Sequence, residues 1–299
     1  MVRQYKIHTN LDGLDDKVWD VTNGELRLYQ PSNLGLDVAN NIFPSNGIGV
    51  AGSRNISQPD IEFKLETFCN TRQENYQILH DFINDILGRK FVTLEYTTEN
   101  FQVYADLALA HVTKTEGYGF NGQFSETITF NVITKWYTYE NLSFETIHNG
   151  VVEQGKSKIY GGSAPNGSYH YRQGIEYTYY GERDIERLSR WDIQSQIFSF
   201  VARLDPQNND GQTGVRFLDE IGNEYTAMVF KPEHHQDYIV INTDVNDEVY
   251  QGWTGTTMLN LFPVLDFQRY RTRIIEKGQM LLVNLKSAEF RIKRKADFM

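Results

Sequence analysis

Gly47-Ile48-Gly49-Val50-Ala51-Gly52 has the spacing G-x-G-x-x-G. In a dinucleotide fold that spacing works only between a strand and a helix. Backbone amides and the helix N-terminus then meet the pyrophosphate together. Here Phe43-Pro44-Ser45 precedes and Ser53-Arg54-Asn55 follows, so the segment reads as a loop. Residues 205–211 (DPQNNDG) are oxygen-rich like a calcium loop. The register fails, because Asp210 holds the sixth position, where glycine is needed, and Arg216 the twelfth, where glutamate is needed. That segment and the cluster of Asp244, Asn246, Asp247 and Glu248 read as turns. The seven histidines, at 8, 80, 111, 148, 170, 234 and 235, show no H-E-x-x-H spacing. Cys69 stands alone, without a basic or histidine neighbour to activate it. Two carboxylates able to hydrolyse a glycoside would converge only in space, so composition leaves that chemistry open. No catalytic residue, no metal ligand and no cofactor is expected.

The elements that would position chemistry are strands. Seven Asn-Gly or Asp-Gly pairs begin at residues 12, 23, 46, 121, 149, 166 and 210. Both residues of such a pair tolerate positive φ, which a type I′ hairpin turn demands. One helix interrupts the pattern, over residues 72–87. Thr71 and Glu74 fit a capping box, which satisfies orphan amides of the first turn. Tyr76, Leu79, Phe82, Ile83, Ile86 and Leu87 form a stripe at helical spacing, and Gly88 is placed to end it in a left-handed conformation.

The chain of 299 residues is long enough for about two domains. Its 40% hydrophobic and 13% aromatic content suffices for real cores. Residues 31–60 are rich in Asn, Gly, Pro and Ser and read as a long loop or loose hairpin, of the kind that in compact domains has a job or is mobile. Residues 125–139 alternate over a length of roughly 50 Å, too long for one ordinary strand, so the chain bends there or passes into a second domain. After residue 190 short strands recur at the spacing of a β-sandwich or jelly roll. Residues 145–190 hold few aliphatic side chains and cannot form a core. They carry Tyr160, Tyr169, Tyr171, Tyr177, Tyr179 and Tyr180. Tyrosine offers large contact area at low entropic cost, so this excursion reads as a partner-binding arm.

Net charge is −10, but residues 266–299 carry nine Lys or Arg against four Asp or Glu, a balance of +5. The rest, at −15, repels nucleic acid. The basic end, with Arg291, Lys293, Arg294 and Lys295, reads most simply as a solvated strand edge. It could also meet the acidic body of a neighbouring copy. A single cysteine excludes internal disulfides and suits synthesis in a reducing cytoplasm. The first residues lack the apolar stretch of a signal peptide, and no run of about 18 apolar residues is present for a membrane span.

Several stretches carry a resemblance. These are residues 91–96 (FVTLEY), 113–119 (TKTEGYG), 136–140 (WYTYE), 216–220 (RFLDE), 241–253 (INTDVNDEVYQGW) and 267–278. Over nearly the whole chain the sequence resembles the distal tail proteins (Dit) of lactococcal siphophages of the 936 type. The likeness is weakest in residues 31–60 and 145–190.

The resemblance implies a mainly β protein in two parts. Residues 1–137 would form a β-sandwich-like ring domain with one α-helix, completed by residues 282–299. Residues 138–281 would form a galectin-like β-sandwich, with residues 145–190 inserted as an arm. It implies a structural hub of the virion tail tip and baseplate: a hexameric ring joining the tail tube to the baseplate, assembled in the host cytoplasm. The arm would hold receptor-binding protein trimers, and a tail-associated tip protein would be a further partner. DNA would pass through the ring without specific binding, and nothing would insert in a membrane. Two other readings stand beside this one. A galectin-like jelly roll with exposed Trp or Tyr would suit a carbohydrate-binding module, and a carboxylate pair in a cleft would suit a glycoside-active protein.

Overall fold

The computed structural model describes residues 3–13, 15–114, 122–145, 170–171, 177–178, 188–207 and 211–296. The chain divides into two compact units. The first comprises residues 1–138 and 295–299, the second residues 139–294. Tyr160, Tyr169, Tyr179 and Tyr180 lie outside the described residues, as do the Asn-Gly pairs at 149 and 166.

The first unit begins with β1 (Gln4–His8), β2 (Val18–Asp20) and β3 (Leu26–Ser32). A hairpin follows, β4 (Asp37–Ser45) and β5 (Ile48–Ser57), then β6 (Ile61–Thr67). After helix α1 (Arg72–Leu87) come β7 (Val92–Thr97), β8 (Gln102–Val112) and β9 (Ser125–Val132). One antiparallel sheet runs in the order β2-β1-β7-β8-β9-β6-β3. Period-two alternation sets its faces: Ile61, Phe63, Leu65 and Thr67 of β6 are buried while Glu62 and Lys64 are exposed. The sheet curls until β1 and β6 face each other, with the Tyr5 and Phe63 rings edge-on at 5.5 Å. The Leu28 amide donates to the Val21 carbonyl at 2.8 Å, which ties β3 back to the end of β2. Each large apolar side chain buried in this core contributes roughly 1.5–3 kcal/mol.

Helix α1 has the expected bounds, and both halves of the capping box between Thr71 and Glu74 are present. Its stripe is narrower than the spacing predicts. Phe82 and Ile86 are buried, but Tyr76 and Leu87 are exposed. Asn75 is buried instead, because its side chain binds the Cys69 amide and carbonyl and the Thr71 carbonyl. Gly88 ends the helix in a right-handed conformation (φ −70°), not a left-handed one, with its amide bonded to the Asn84 carbonyl.

The long alternating run over residues 125–139 is broken. β9 stops at Val132, and the next strand, β10 (Tyr137–Glu145), starts five residues on. Asp106, 1% exposed, is the pivot. Its carbonyl accepts from the Ile133 and Thr134 amides, and its carboxylate accepts from Thr93 and Tyr137. Trp136 still reaches the core of the first unit, as the alternation requires.

The second unit is a two-sheet sandwich. β13 (Leu188–Asp192), β14 (Ile197–Pro206), β15 (Thr213–Leu218) and β16 (Glu224–Phe230) come first. Then follow β17 (Tyr238–Asn242), β18 (Val249–Thr254), β19 (Thr257–Asn260), β20 (Lys277–Val283) and β21 (Leu285–Lys295). One sheet runs β19-β18-β17-β14-β21-β10, the other β13-β20-β15-β16. Their inner faces meet in an aromatic core, where Trp191 contacts Phe217 at 4.9 Å and Phe290 at 5.4 Å. Two short strands, β11 (His170–Tyr171) and β12 (Tyr177–Thr178), pair with each other. Gly214 sits at φ +153°, and a Cβ there would stand 2.0 Å from the Met228 carbonyl oxygen on the paired strand. Only glycine permits that approach.

Candidate assembly surfaces

Of the expected arm residues, Tyr171 and Tyr177 stand opposite each other in the β11–β12 register. The four basic residues near the C-terminus share β21 but not a role. Strand alternation turns Arg291 outward, where its guanidinium lies 3.7 Å from the centre of the Tyr139 ring. Arg294 Nε lies 2.9 Å from Glu140 Oε2, a half-exposed ion contact. Lys295 is half-buried. Lys293 shares the face of Arg291 by alternation, yet its side chain is 2% exposed and pairs with Asp244, 7% exposed, at 3.0 Å. A solvated edge or a contact with another copy is therefore wrong for Lys293. Its charge is matched by Asp244 within the second unit, because a buried ammonium needs a partner. Asp244 itself lies at the edge of the expected turn, where it also accepts from the Asn246 amide.

The glycine motif falls in the β4–β5 hairpin. Asn46 and Gly47 have φ +48° and +82°, as a type I′ turn requires, and β5 follows where a nucleotide site would need a helix. Residues 31–60, expected as a loop or loose hairpin, contain two regular strands in register from Asp37↔Ser57 to Ser45↔Ile48, with a bulge between Asn40 and Ile42. All ten residues of β5 are exposed. Phe43 pairs with Val50 and Ser45 with Ile48, which puts Phe43, Ile48 and Val50 on one face. The extra residue of the bulge lies in β5 and carries Ile56, with its partner Val38, to the opposite face. Ile48 is 70% and Phe43 60% exposed. Ile42, 64% exposed, shares that opposite face with Val38 and Ile56. Sequence spacing alone does not reveal these apolar faces, because the bulge hides their period. The signal was the recurrence of Val, Ile and Phe in an otherwise polar stretch.

The titratable clusters serve the fold. Burial pushes Glu95 up, but hydrogen bonds from Lys6 and His8, both at 3.0 Å, outweigh it and hold its pKa below the usual carboxylate range. Burial, with the Glu25 carboxylate beside it, pushes the Cys69 thiol up to about 11. Burial raises Tyr250, and raises Tyr270 to about 12, while both phenols bind Glu248. Among the described residues no three His, Cys, Asp or Glu gather as a metal site, and no helix is long and apolar enough to cross a membrane.

A mainly β chain with a projecting hairpin and open apolar faces has the features of an assembly protein. Residues 4–133 match the family model described as the distal tail protein N-terminal domain, and residues 135–299 match the Dit C-terminal domain. The distal tail protein of Lactococcus phage p2 is 73% identical over 298 residues, covering 100% of both chains. That of Lactococcus phage SK1 is 72% identical with the same coverage. A solved structure of the phage p2 baseplate, in its activated conformation with Ca, contains a chain 72% identical to this one. It superposes with a TM-score of 0.81 over 100% of both chains. The chain belongs to the distal tail protein family, whose members are structural parts of the phage tail and not enzymes.

Proposed function

We propose that this chain is the hub of a phage baseplate: six copies close into a ring that joins the tail tube to the receptor-binding proteins. The first unit builds the ring. The second, galectin-like unit carries residues 145–190 as an arm that grips receptor-binding protein trimers, and a tail-associated tip protein closes the assembly. The observation that carries this reading is the β4–β5 hairpin. An isolated two-stranded hairpin is marginal in water, and one with three apolar side chains open on each face is worse. Covering those side chains would stabilise a contact by about 1 kcal/mol each. In a ring, each copy offers two different complementary surfaces, so the hairpin of one copy has a fixed seat on the next. Kinship to the p2 protein, solved within a baseplate, supports the setting. Arg291, Arg294 and Lys295 add a basic margin facing an acidic neighbour, and the acidic remainder lets DNA slide through.

The test is native mass. A species of six times the 34.7 kDa chain is expected, and Ile48→Ser with Phe43→Ser should shift it to monomer. A monomeric wild-type chain, in the presence of tail tube protein as well as alone, would overturn the ring. Deleting residues 161–180 should leave the ring intact and abolish capture of receptor-binding protein. Retained capture would refute the arm.

A further inference from the structure

The outward face of the six-stranded sheet in the second unit carries a row of large polar and aromatic side chains. In β14, alternation buries Phe200, Ala202 and Leu204 and turns Val201, Arg203 and Asp205 to solvent. Register continues the row across the neighbouring strands. Arg203 stands opposite Glu289 and Val201 opposite Arg291. On the other side, Tyr238 stands opposite Trp253, and Trp253 opposite Met258. The Tyr238 and Trp253 rings are nearly parallel, with an interplanar angle of 11° and centroids 5.9 Å apart. The Arg203 guanidinium lies 4.2 Å from the centre of the Tyr238 ring. Arg203 also lines a groove of about 330 Å³, together with Asn141, Ser143, Glu289 and Arg291.

This arrangement has no role in the core, which the opposite face of the same strands builds. The Tyr238 ring stacks on Trp253 and carries the Arg203 guanidinium, so it braces Trp253 as the apolar wall of this surface. Beside it the groove offers donors from Arg203, Arg291 and Asn141 and acceptors from Glu289, Asn141 and Ser143. A few placed polar groups next to an aromatic wall fix the orientation of a small ligand. A pyranose matches both halves: one ring face presents C–H groups, and the rim presents hydroxyls that donate and accept. Arg203 and Arg291 are balanced by Asp205 and Glu289, so the face carries no net charge and suits a neutral ligand. Trp253 on β18 and Arg291 on β21 are three strand spacings apart, about 14 Å. An oligosaccharide fills that span and a monosaccharide does not.

We infer that this face binds a neutral pyranose oligosaccharide, with Trp253, braced by Tyr238, stacking on one sugar ring and Arg203, Glu289 and Arg291 hydrogen-bonding the next. All its residues lie in the second unit, and Arg291 is the one that the ring reading also uses.

The experiment is a glycan array probed with the full-length chain, carrying neutral hexose and N-acetylhexosamine oligosaccharides beside sialylated and phosphorylated ones. The neutral glycans that bind are then titrated in solution by tryptophan fluorescence. Neutral oligosaccharides are expected to bind. Trp253→Ala should weaken them about tenfold or more, a loss that Trp253→Phe largely restores. Arg203→Gln, at an exposed position that the fold does not need, should weaken them as well. Binding of no neutral glycan, binding of acidic glycans alone, or affinity unchanged in both Trp253→Ala and Arg203→Gln would overturn the inference.

Discussion

Lys293 and Asp244 form a pair that the interior of the second unit cannot easily lose. Their side chains are 2% and 7% exposed, and Nζ lies 3.0 Å from Oδ2. Lys293→Met keeps the volume of the stem and removes the ammonium. The Asp244 carboxylate then stays buried, with the Asn246 amide still donating to it at 3.0 Å. One neutral donor does not compensate a desolvated charge. Breaking a buried pair from one side costs about 3–5 kcal/mol. A domain of this size loses roughly 2–4 °C of Tm per kcal/mol, so the second unit should melt roughly 6–20 °C lower. Calorimetry measures this, with near-ultraviolet dichroism of the core residue Trp191 to identify the unit. Replacing both partners, Lys293→Met with Asp244→Leu, removes both charges. That variant forfeits only the turn hydrogen bond to Asn246, about 1 kcal/mol, and should melt well above the single variant. A single variant melting within about 2 °C of the wild type would refute the reasoning, because the carboxylate would then have found water. A double variant as unstable as the single one would move the cost from charge to packing.

Thr71→Ala removes the cap of α1 and should cost about 1 kcal/mol, read as a lower denaturant midpoint at unchanged slope. Gly214→Ala places a Cβ against the Met228 carbonyl and should cost about 1–3 kcal/mol or more, visible as lost amide protection along β15 and β16. Cys69 should resist a thiol reagent at pH 8 in the folded chain and react at once in denaturant. The thiol titrates near 9.0 when unfolded and near 11 when folded, so its contribution to stability is complete below pH 9 and disappears as the pH rises towards 11. Rapid labelling of the native chain at pH 8 would refute its burial.

What the sequence determined by itself was local. The helix bounds and capping box of α1 follow from Thr71, Glu74 and the spacing of Phe82 and Ile86, because each contact spans only three or four residues. The Asn46-Gly47 turn was legible for the same reason: the two residues carry their own backbone preference. Kinship to distal tail proteins was legible too, since it rests on residue identity along the chain and needs no coordinates. The tertiary structure decided everything that depends on which strand lies beside which. Asp106 breaks the long alternating run by gathering Thr93, Ile133 and Tyr137 from other segments. Lys293 becomes an interior cation only because β21 brings it to Asp244, forty-nine positions away. The bulge that turns Ile56 away from the face of Ile48 and Val50, and the register that sets Trp253 beside Tyr238, are likewise invisible in one dimension. A side chain's spacing fixes which face of its own strand it takes, but pairing between strands fixes its neighbours, and charge, burial and binding are properties of neighbours.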